Sequence, residues 1–400
     1  MTKLAELAID GGRPVRDSFL PFHQPSLGPE EEASLLDTVR SGWITTGPKT
    51  KAFERELASY VGARHAVAVN SCTAALHLAL EATGVGAEHE VITSPITFAS
   101  TANVIVHRGA TPVFADVQPD TVNIDPAALE RAITPRTKAI IPVHLAGQPC
   151  DMASIDALAR RHGLTVIEDA AHAIGAAYDG RRVGGHGRLA CFSFYATKNI
   201  TSAEGGAVTT DDAELADKIA IMSLHGISRD AWKRYGAEGY RHWDIVYPGY
   251  KYNMFDLQAA LVLPQLAKIE QFWARRVELK ARLDAGLATI PELRTYHPVG
   301  DVKHAHHLYP TVVLTERLRA DRDTIMSAIQ AENIGVGIHF RAVHLHPYYR
   351  ERWGFRRGMF PNAEYYSDRT MSLPLYPKMS DRDADDVVDV VRKVVEWFRR

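Results

Sequence analysis

Cys191-Phe192-Ser193-Phe194-Tyr195-Ala196-Thr197-Lys198-Asn199 runs on to Glu204-Gly205-Gly206 and sets one lysine between two apolar segments. The spacing predicts a short buried strand (Cys191, Phe192, Phe194), a break, and a glycine pair opening a second strand, Ala207-Val208-Thr209. An ammonium delivered at the end of a buried strand is costly to desolvate unless it is paired or neutralised. Two readings of Lys198 are open at this point. It is an ordinary exposed side chain after a strand, or an amine of lowered pKa suited to form a Schiff base with an aldehyde cofactor.

Working outward, apolar strands alternate with helical segments. Strands are expected at 65–69, 90–93, 111–115, 138–143 and 164–168, with helices at 51–61, 74–82 and 151–162. In the last of these helices Ile155, Leu158, Ala159 and His162 keep helical spacing and Gly163 closes the end. Continuous apolar strands alternating with helices indicate an α/β fold, a mostly parallel sheet covered on both faces. Ligands in such sheets sit at the carboxyl ends of the strands. That brings the turns after Val69, Val91, Ile167 and Phe194 to one edge.

The flanks read differently. Residues 1–50 are irregular apart from a helix over 28–41, opened by Pro29 and three glutamates. The stretch 212–285 is expected to be helical, with an amphipathic run over 256–271. From 286 a smaller α+β unit follows: a strand at 307–314, a helix at 321–332, a strand at 335–340 and a final helix. That helix opens with Ser380 and Asp383 as a capping box and carries the stripe Ala384, Val387, Val388, Val391, Val394, Val395 and Phe398. The expected division is thus a large domain, 1–285, and a small one, 286–400.

Composition narrows the function. The 400 residues, 46% hydrophobic, hold Lys+Arg 46 against Asp+Glu 48, which gives nucleic-acid binding no electrostatic support. No apolar run approaches the roughly 20 residues of a membrane helix, and the first ten residues lack a signal-peptide pattern; a cytoplasmic protein is expected. Cys72, Cys150 and Cys191 fit neither a disulfide framework nor a metal site. The histidines at 304, 306, 307, 339, 344 and 346 show no ligand spacing, so no metal is expected.

Four pieces meet at the expected sheet edge. Ser71-Cys72-Thr73 lies where a strand turns into a helix, either a plain N-cap or a phosphate cradle of backbone N–H groups plus a hydroxyl. Asp169, in Glu168-Asp169-Ala170-Ala171-His172, closes an apolar strand. It either caps a following helix or faces a cation, and the pyridinium nitrogen of pyridoxal phosphate is one such cation. Phe98 is either core or a stacking partner for a flat ring. Ser193 and Lys198 add a second phosphate hydroxyl and the amine.

In content and order these residues resemble the fold type I pyridoxal-phosphate enzymes, and more narrowly the DegT/DnrJ/EryC1/StrS family of nucleotide-sugar aminotransferases. The matching text also includes Gly42-Trp43-Ile44-Thr45-Thr46-Gly47-Pro48, Gly249-Tyr250-Lys251-Tyr252-Asn253 and Gly337-Ile338-His339-Phe340-Arg341. Within the family the UDP-4-amino-4-deoxy-L-arabinose synthase type is the nearest likeness. The resemblance implies that Lys198 carries the Schiff base and Asp169 pairs with the pyridine nitrogen. His172 would face the phenolic oxygen, and Cys72 (by its backbone), Thr73 and Ser193 would hold the phosphate. Lys251 and Asn253 resemble residues donated by a neighbouring subunit, implying a homodimer with composite sites. His339, Arg341 and Tyr195 would lie near the sugar nucleotide; many members have His at the position of Tyr195. The implied reaction moves an amino group from an amino acid, L-glutamate, to a UDP-4-keto sugar. Family dehydratases replace the lysine by histidine, so Lys198 argues against dehydration. A non-catalytic binding protein on the same scaffold would have no need to keep Lys198, Asp169, Ser193 and Thr73 together.

Overall fold

The structure, a computed structural model, describes residues 6–228 and 244–400. Its centre is a seven-stranded sheet. The strands are β1 (His65–Val69), β2 (Glu90–Thr93), β3 (Thr111–Phe114), β4 (Thr137–Ile141), β5 (Thr165–Asp169), β6 (Leu189–Ser193) and β7 (Gly206–Thr210), in the spatial order β1-β7-β6-β5-β4-β2-β3. Only β7 runs against the others. The expected mostly parallel sheet is what forms.

Alternation in β6 shows why the strand needs apolar residues throughout. Leu189 and Cys191 pack with the Cys72–Ala82 helix on one face, while Ala190 and Phe192 pack on the other against Leu57, Leu266 and Ile269. The larger of these, Leu189 and Phe192, each contribute roughly 1.5–3 kcal/mol when fully buried. The register does the positioning. Val69 pairs with Gly206 and Gly206 with Ser193, one row across β1, β7 and β6, while Asp169 pairs with Cys191 on the other side of β6. Residues far apart in sequence thereby end at one sheet edge.

The helix expected over 256–271 runs further, as Asp256–Leu287 with Pro264 inside it. Its first part feeds the core beside the sheet through Ala259, Val262 and Leu266; its last part, Leu279, Leu283 and Leu287, feeds a second core. That second core also holds Leu7 and Leu20 from the start of the chain and the Val387–Val395 stripe of the final helix, Asp381–Phe398. The Asp256 carboxylate, buried at the helix start, accepts from the backbone N–H groups of Gly47, Lys49 and Thr50 and from the Thr50 hydroxyl at 2.7–3.0 Å. One acid thereby satisfies the free amides that open the Pro48–Val61 helix.

Two expectations change. The stretch read as helical, 212–285, holds two helices, Ala213–Ser223 and Asp256–Leu287, with non-helical chain before Asp256; 229–243 lies outside the described residues. The strand expected at 335–340 does not form. The C-terminal sheet is β8 (Leu293–Thr295), β9 (Tyr309–Val313) and β10 (Thr370–Leu373), and 335–340 touches it through a single backbone bridge, Gly337 with Ser372. The alternation of Val336, Ile338 and Phe340 comes instead from a segment half in the core and half in a cavity wall. Among the described residues no helix is long and apolar enough to cross a membrane.

Candidate active site

At the carboxyl edge of the sheet lies a cavity of about 610 Å³. Of the residues singled out from sequence, Cys72, Thr73, Phe98, Asp169, His172, Ser193, Tyr195, Lys198 and His339 line it. Arg341, Lys251 and Asn253 do not. Arg341 follows Phe340 out of the cavity wall into a neighbouring pocket. Lys251 donates to Asn253 Oδ1 at 2.7 Å, and Asn253 donates to Thr46 Oγ1 at 2.7 Å, beside the end of β1.

Ser71 caps the Cys72–Ala82 helix, its hydroxyl accepting from Ala74 N at 3.1 Å. The capping reading is therefore correct for Ser71, and it leaves the Cys72 and Thr73 end of the helix facing the cavity. That end carries free N–H groups and the positive pole of the helix, a natural anion site. Gly206 makes the arrangement possible: a Cβ there would come to 2.5 Å of Cys72 N. No other residue lets β7 pass this close to the helix start.

Asp169 ends β5 and does not cap a helix; its Oδ1 accepts from Ala171 N at 3.1 Å in a tight turn. Oδ2 accepts from Thr101 Oγ1 at 2.7 Å, and Thr97 Oγ1 is in turn 2.7 Å from Thr101 Oγ1. Burial raises the Asp169 pKa against the opposing pull of these hydrogen bonds and of Lys198. Behind it Glu168 is held by His144 Nε2 at 2.8 Å and Arg188 at 3.2 Å. Because His144 Nδ1 accepts from Cys150 N, the ring is neutral and Nε2–H is the donor.

Lys198 sits five residues beyond the last residue of β6, in a turn rather than on the strand. Desolvation lowers its pKa to about 8, with Cys72 and Asp169 pulling the other way. Burial pushes His172 well below the usual imidazole range, and Lys198 adds to the shift. Its Nδ1 accepts from Ala146 N at 3.2 Å, so the neutral ring carries its proton on Nε2 as a donor. Burial likewise lowers His339 to about 4.

Phe98 is 63% exposed and so not core; its ring meets Phe340 at 6.1 Å. Sequence reading missed Phe22, Thr101, His307 and Phe340. The His307 ring lies 4.5 Å from that of His172, and its Nδ1 is 3.0 Å from Asn199 Oδ1, next to the lysine. His307 carried a signal as one of several clustered histidines, and Phe340 as part of the quoted stretch Gly337–Arg341, though neither was given a role.

The donor set fits pyridoxal phosphate: a helix start with hydroxyls from Thr73 and Ser193 for a phosphate, a buried carboxylate for a pyridinium, a neutral N–H donor for a phenolate, and an amine of lowered pKa.

The chain matches the DegT/DnrJ/EryC1/StrS aminotransferase family over residues 25–392. It is 53% identical over 382 residues, 95% of this chain and 98% of the other, to the spore coat polysaccharide biosynthesis protein SpsC of Bacillus subtilis (strain 168). Among solved structures it is similar to Spr1654 from Streptococcus pneumoniae in its PLP form (35% identity, TM-score 0.88, covering 95% of this chain and 99% of that one). It is also similar to Helicobacter pylori PseC, an aminotransferase involved in the biosynthesis of pseudoaminic acid (30% identity, TM-score 0.88, covering 96% and 100%). This chain belongs to the DegT/DnrJ/EryC1/StrS aminotransferase family, whose enzymes work with pyridoxal phosphate.

Proposed function

We propose that the protein transfers the amino group of L-glutamate to a UDP-4-keto sugar for amino-sugar biosynthesis, working as a cytoplasmic homodimer. The observation that carries this reading is the sharing of one cavity by Lys198, Asp169 and the Cys72 helix start, with the cavity extending to Tyr195 and His339. The names of SpsC and PseC, tied to polysaccharide and pseudoaminic acid biosynthesis, support a sugar acceptor.

Pyridoxal phosphate supplies, when bound, the aldehyde that takes up the amino group and a ring that draws electrons from the reacting carbon. The protein's own groups do the rest. The Cys72 and Thr73 amides with Ser193 fix the phosphate end. Asp169, held by Thr101 and Ala171, would be the carboxylate that pairs with the ring nitrogen. His172 donates from Nε2. Lys198 Nζ, its pKa lowered by desolvation to about 8, would be the group that holds and moves a proton at the reacting end of the bound cofactor. Neutral His339 and Tyr195 border the space left for the acceptor.

The test is the visible spectrum of the purified protein with pyridoxal phosphate, before and after L-glutamate. Loss of the band of lysine-bound cofactor is expected, followed by its return with one member of a panel of keto-sugar nucleotides. A band indifferent to glutamate would refute the donor. Protein that stays colourless would favour the binding-protein reading.

A further inference from the structure

We propose that His307 is a further substrate-binding residue, a bare acceptor nitrogen in the catalytic cavity for the amine of the amino donor, and that Arg276 is the residue that positions it. The assignment rests on the aminotransferase reading above.

The chain just before β9 cannot satisfy its own backbone. His306 sits in the left-handed region, at φ 48°, and residues 304–307 form no strand, so their carbonyls lack ladder partners. Side chains supply the donors instead. Trp273 Nε1 donates to His304 O at 2.8 Å, and Asn199 Nδ2 to Ala305 O at 2.9 Å. Arg276 Nη1 donates to His306 O at 3.1 Å, His307 O at 3.3 Å and Leu375 O at 2.6 Å. Trp273 and Arg276 stand three residues apart on the Asp256–Leu287 helix, and so on one face of it. Arg276 is fully buried, no carboxylate pairs with it among the described residues, and its Nε and Nη2 have no partner. A charge buried in this way adds little to stability. What Arg276 does is tie the backbone of His306 and His307 to the long helix.

Fixing that backbone fixes a ring of one tautomer. Asn199 spends its amide nitrogen on Ala305 O, so its Oδ1 faces His307 Nδ1 at 3.0 Å and Nδ1 carries the proton. Burial, with His172 and Lys198 adding to it, pushes the His307 pKa well below the usual imidazole range, so the ring stays neutral. Nε2 is therefore an unprotonated acceptor. It has no partner among the described residues, and it is not sealed in as His23 Nε2 and His306 Nδ1 are, because His307 lines the cavity. In the same cavity His172 Nε2 is a donor, and both Asp169 oxygens already accept, from Ala171 and Thr101. An N–H arriving beside Lys198 finds its acceptor in His307 Nε2, whose anchor Asn199 directly follows the lysine.

Two measurements test this. The first is NMR of the imidazole nitrogens in the cofactor-free protein, with the His307 signals identified by their absence in H307Q. The wild type should show a protonated Nδ1 and an unprotonated Nε2 near neutral pH; the opposite tautomer or a charged ring overturns the proposal. R276M should lose the single tautomer. R276K, which offers one ammonium to three carbonyls, should lie between and serves if R276M fails to fold. His307 signals unchanged in both variants would overturn the role of Arg276. The second is steady-state kinetics of the enzyme loaded with pyridoxal phosphate. H307F should raise the KM for L-glutamate roughly tenfold to a hundredfold, as loss of a hydrogen bond to a charged group implies, with the KM for the keto-sugar nucleotide unchanged. H307Q, whose side-chain oxygen can reach the place of Nε2, should recover most of that loss. A glutamate KM unchanged in H307F, or a rise confined to the sugar, whose hydroxyls are the other source of a donor, overturns the binding role. A wild-type enzyme inactive with every amino donor would refute the aminotransferase reading, while the NMR signals would still decide whether Arg276 positions His307.

Discussion

Desolvation holds the Lys198 amine at a pKa of about 8, against an ordinary 10.5. Between those values the unfolded chain binds more protons than the folded one, so the folded state gains stability as pH rises through that window. Below pH 8 the buried ammonium is a liability. Lys198→Met should therefore stabilise the protein without added cofactor by about 1–2 kcal/mol at pH 7, after discounting for partial solvent screening. The advantage should shrink toward pH 10.5. Urea unfolding across that range measures it; an advantage that does not change with pH would contradict the assigned cause. The same variant should have no transaminase activity. Asp169 offers a second case, since Thr101 donates into its carboxylate from 68 residues away. Thr101→Val should cost about 1–3 kcal/mol by leaving a buried acceptor unmatched, and should weaken cofactor binding. Thr101→Ser, retaining the hydroxyl, should restore both. Equal behaviour of the two variants would reject the hydrogen bond as the reason. These residues also show what a sequence exposes. Lys198 and Asp169 stand out because a charge at the end of an apolar strand is locally anomalous. Thr101 and His307 do not, because a threonine in a helix and a histidine among histidines acquire meaning only from partners 68 and 108 residues distant.

At the scale of elements the site depends on how closely β7 passes the start of the Cys72–Ala82 helix. Gly206 pairs with both Val69 and Ser193, so any displacement there moves the helix start and the Ser193 hydroxyl apart. A Cβ at 206 would stand 2.5 Å from Cys72 N, against the Ser71–Cys72 peptide and with nothing flexible to yield. Gly206→Ala should destabilise the protein by about 1–3 kcal/mol and weaken pyridoxal phosphate binding at least tenfold. Ser71→Ala, which removes the cap on Ala74 N and a longer bond to Asn70 Oδ1, should cost about 1 kcal/mol with a smaller effect on the cofactor. Thermal unfolding with a fluorescence titration of the cofactor separates the two; equal cofactor affinities would mean that the close approach is not what shapes the cradle. Element legibility followed the same logic. Strands β1 to β6 were readable because continuous apolar runs bounded by turns have few alternatives. The segment 335–340 has the same alternation, yet its apolar residues answer to a core and a cavity instead of to a neighbouring strand, and local pattern cannot separate those cases.

At the scale of the molecule a single chain leaves its cavity partly walled. Phe98 and Tyr195 line it but stand 63% and 47% exposed, and Trp43 and Ile44, on the loop joined to Asn253 through Thr46, stand 41% and 52% exposed. Apolar surface gathered around a functional opening is what a partner subunit covers. Lys251 and Asn253, which resemble residues lent to a neighbouring site, are absent from the wall of their own cavity. A two-fold dimer would present them to the opposite site. Complementation tests this arrangement. Lys198→Ala removes the amine from its own site only, whereas Lys251→Ala/Asn253→Ala should impair only the partner's site. Each variant alone should be inactive or nearly so. Co-expressed, half the dimers are mixed and each mixed dimer holds one complete site, so activity should recover to roughly a quarter of wild type. Full activity of Lys251→Ala/Asn253→Ala alone would remove those side chains from the chemistry. Isolated mixed dimers without activity would confine each site to a single chain, and the exposed wall of the cavity would then need another cover.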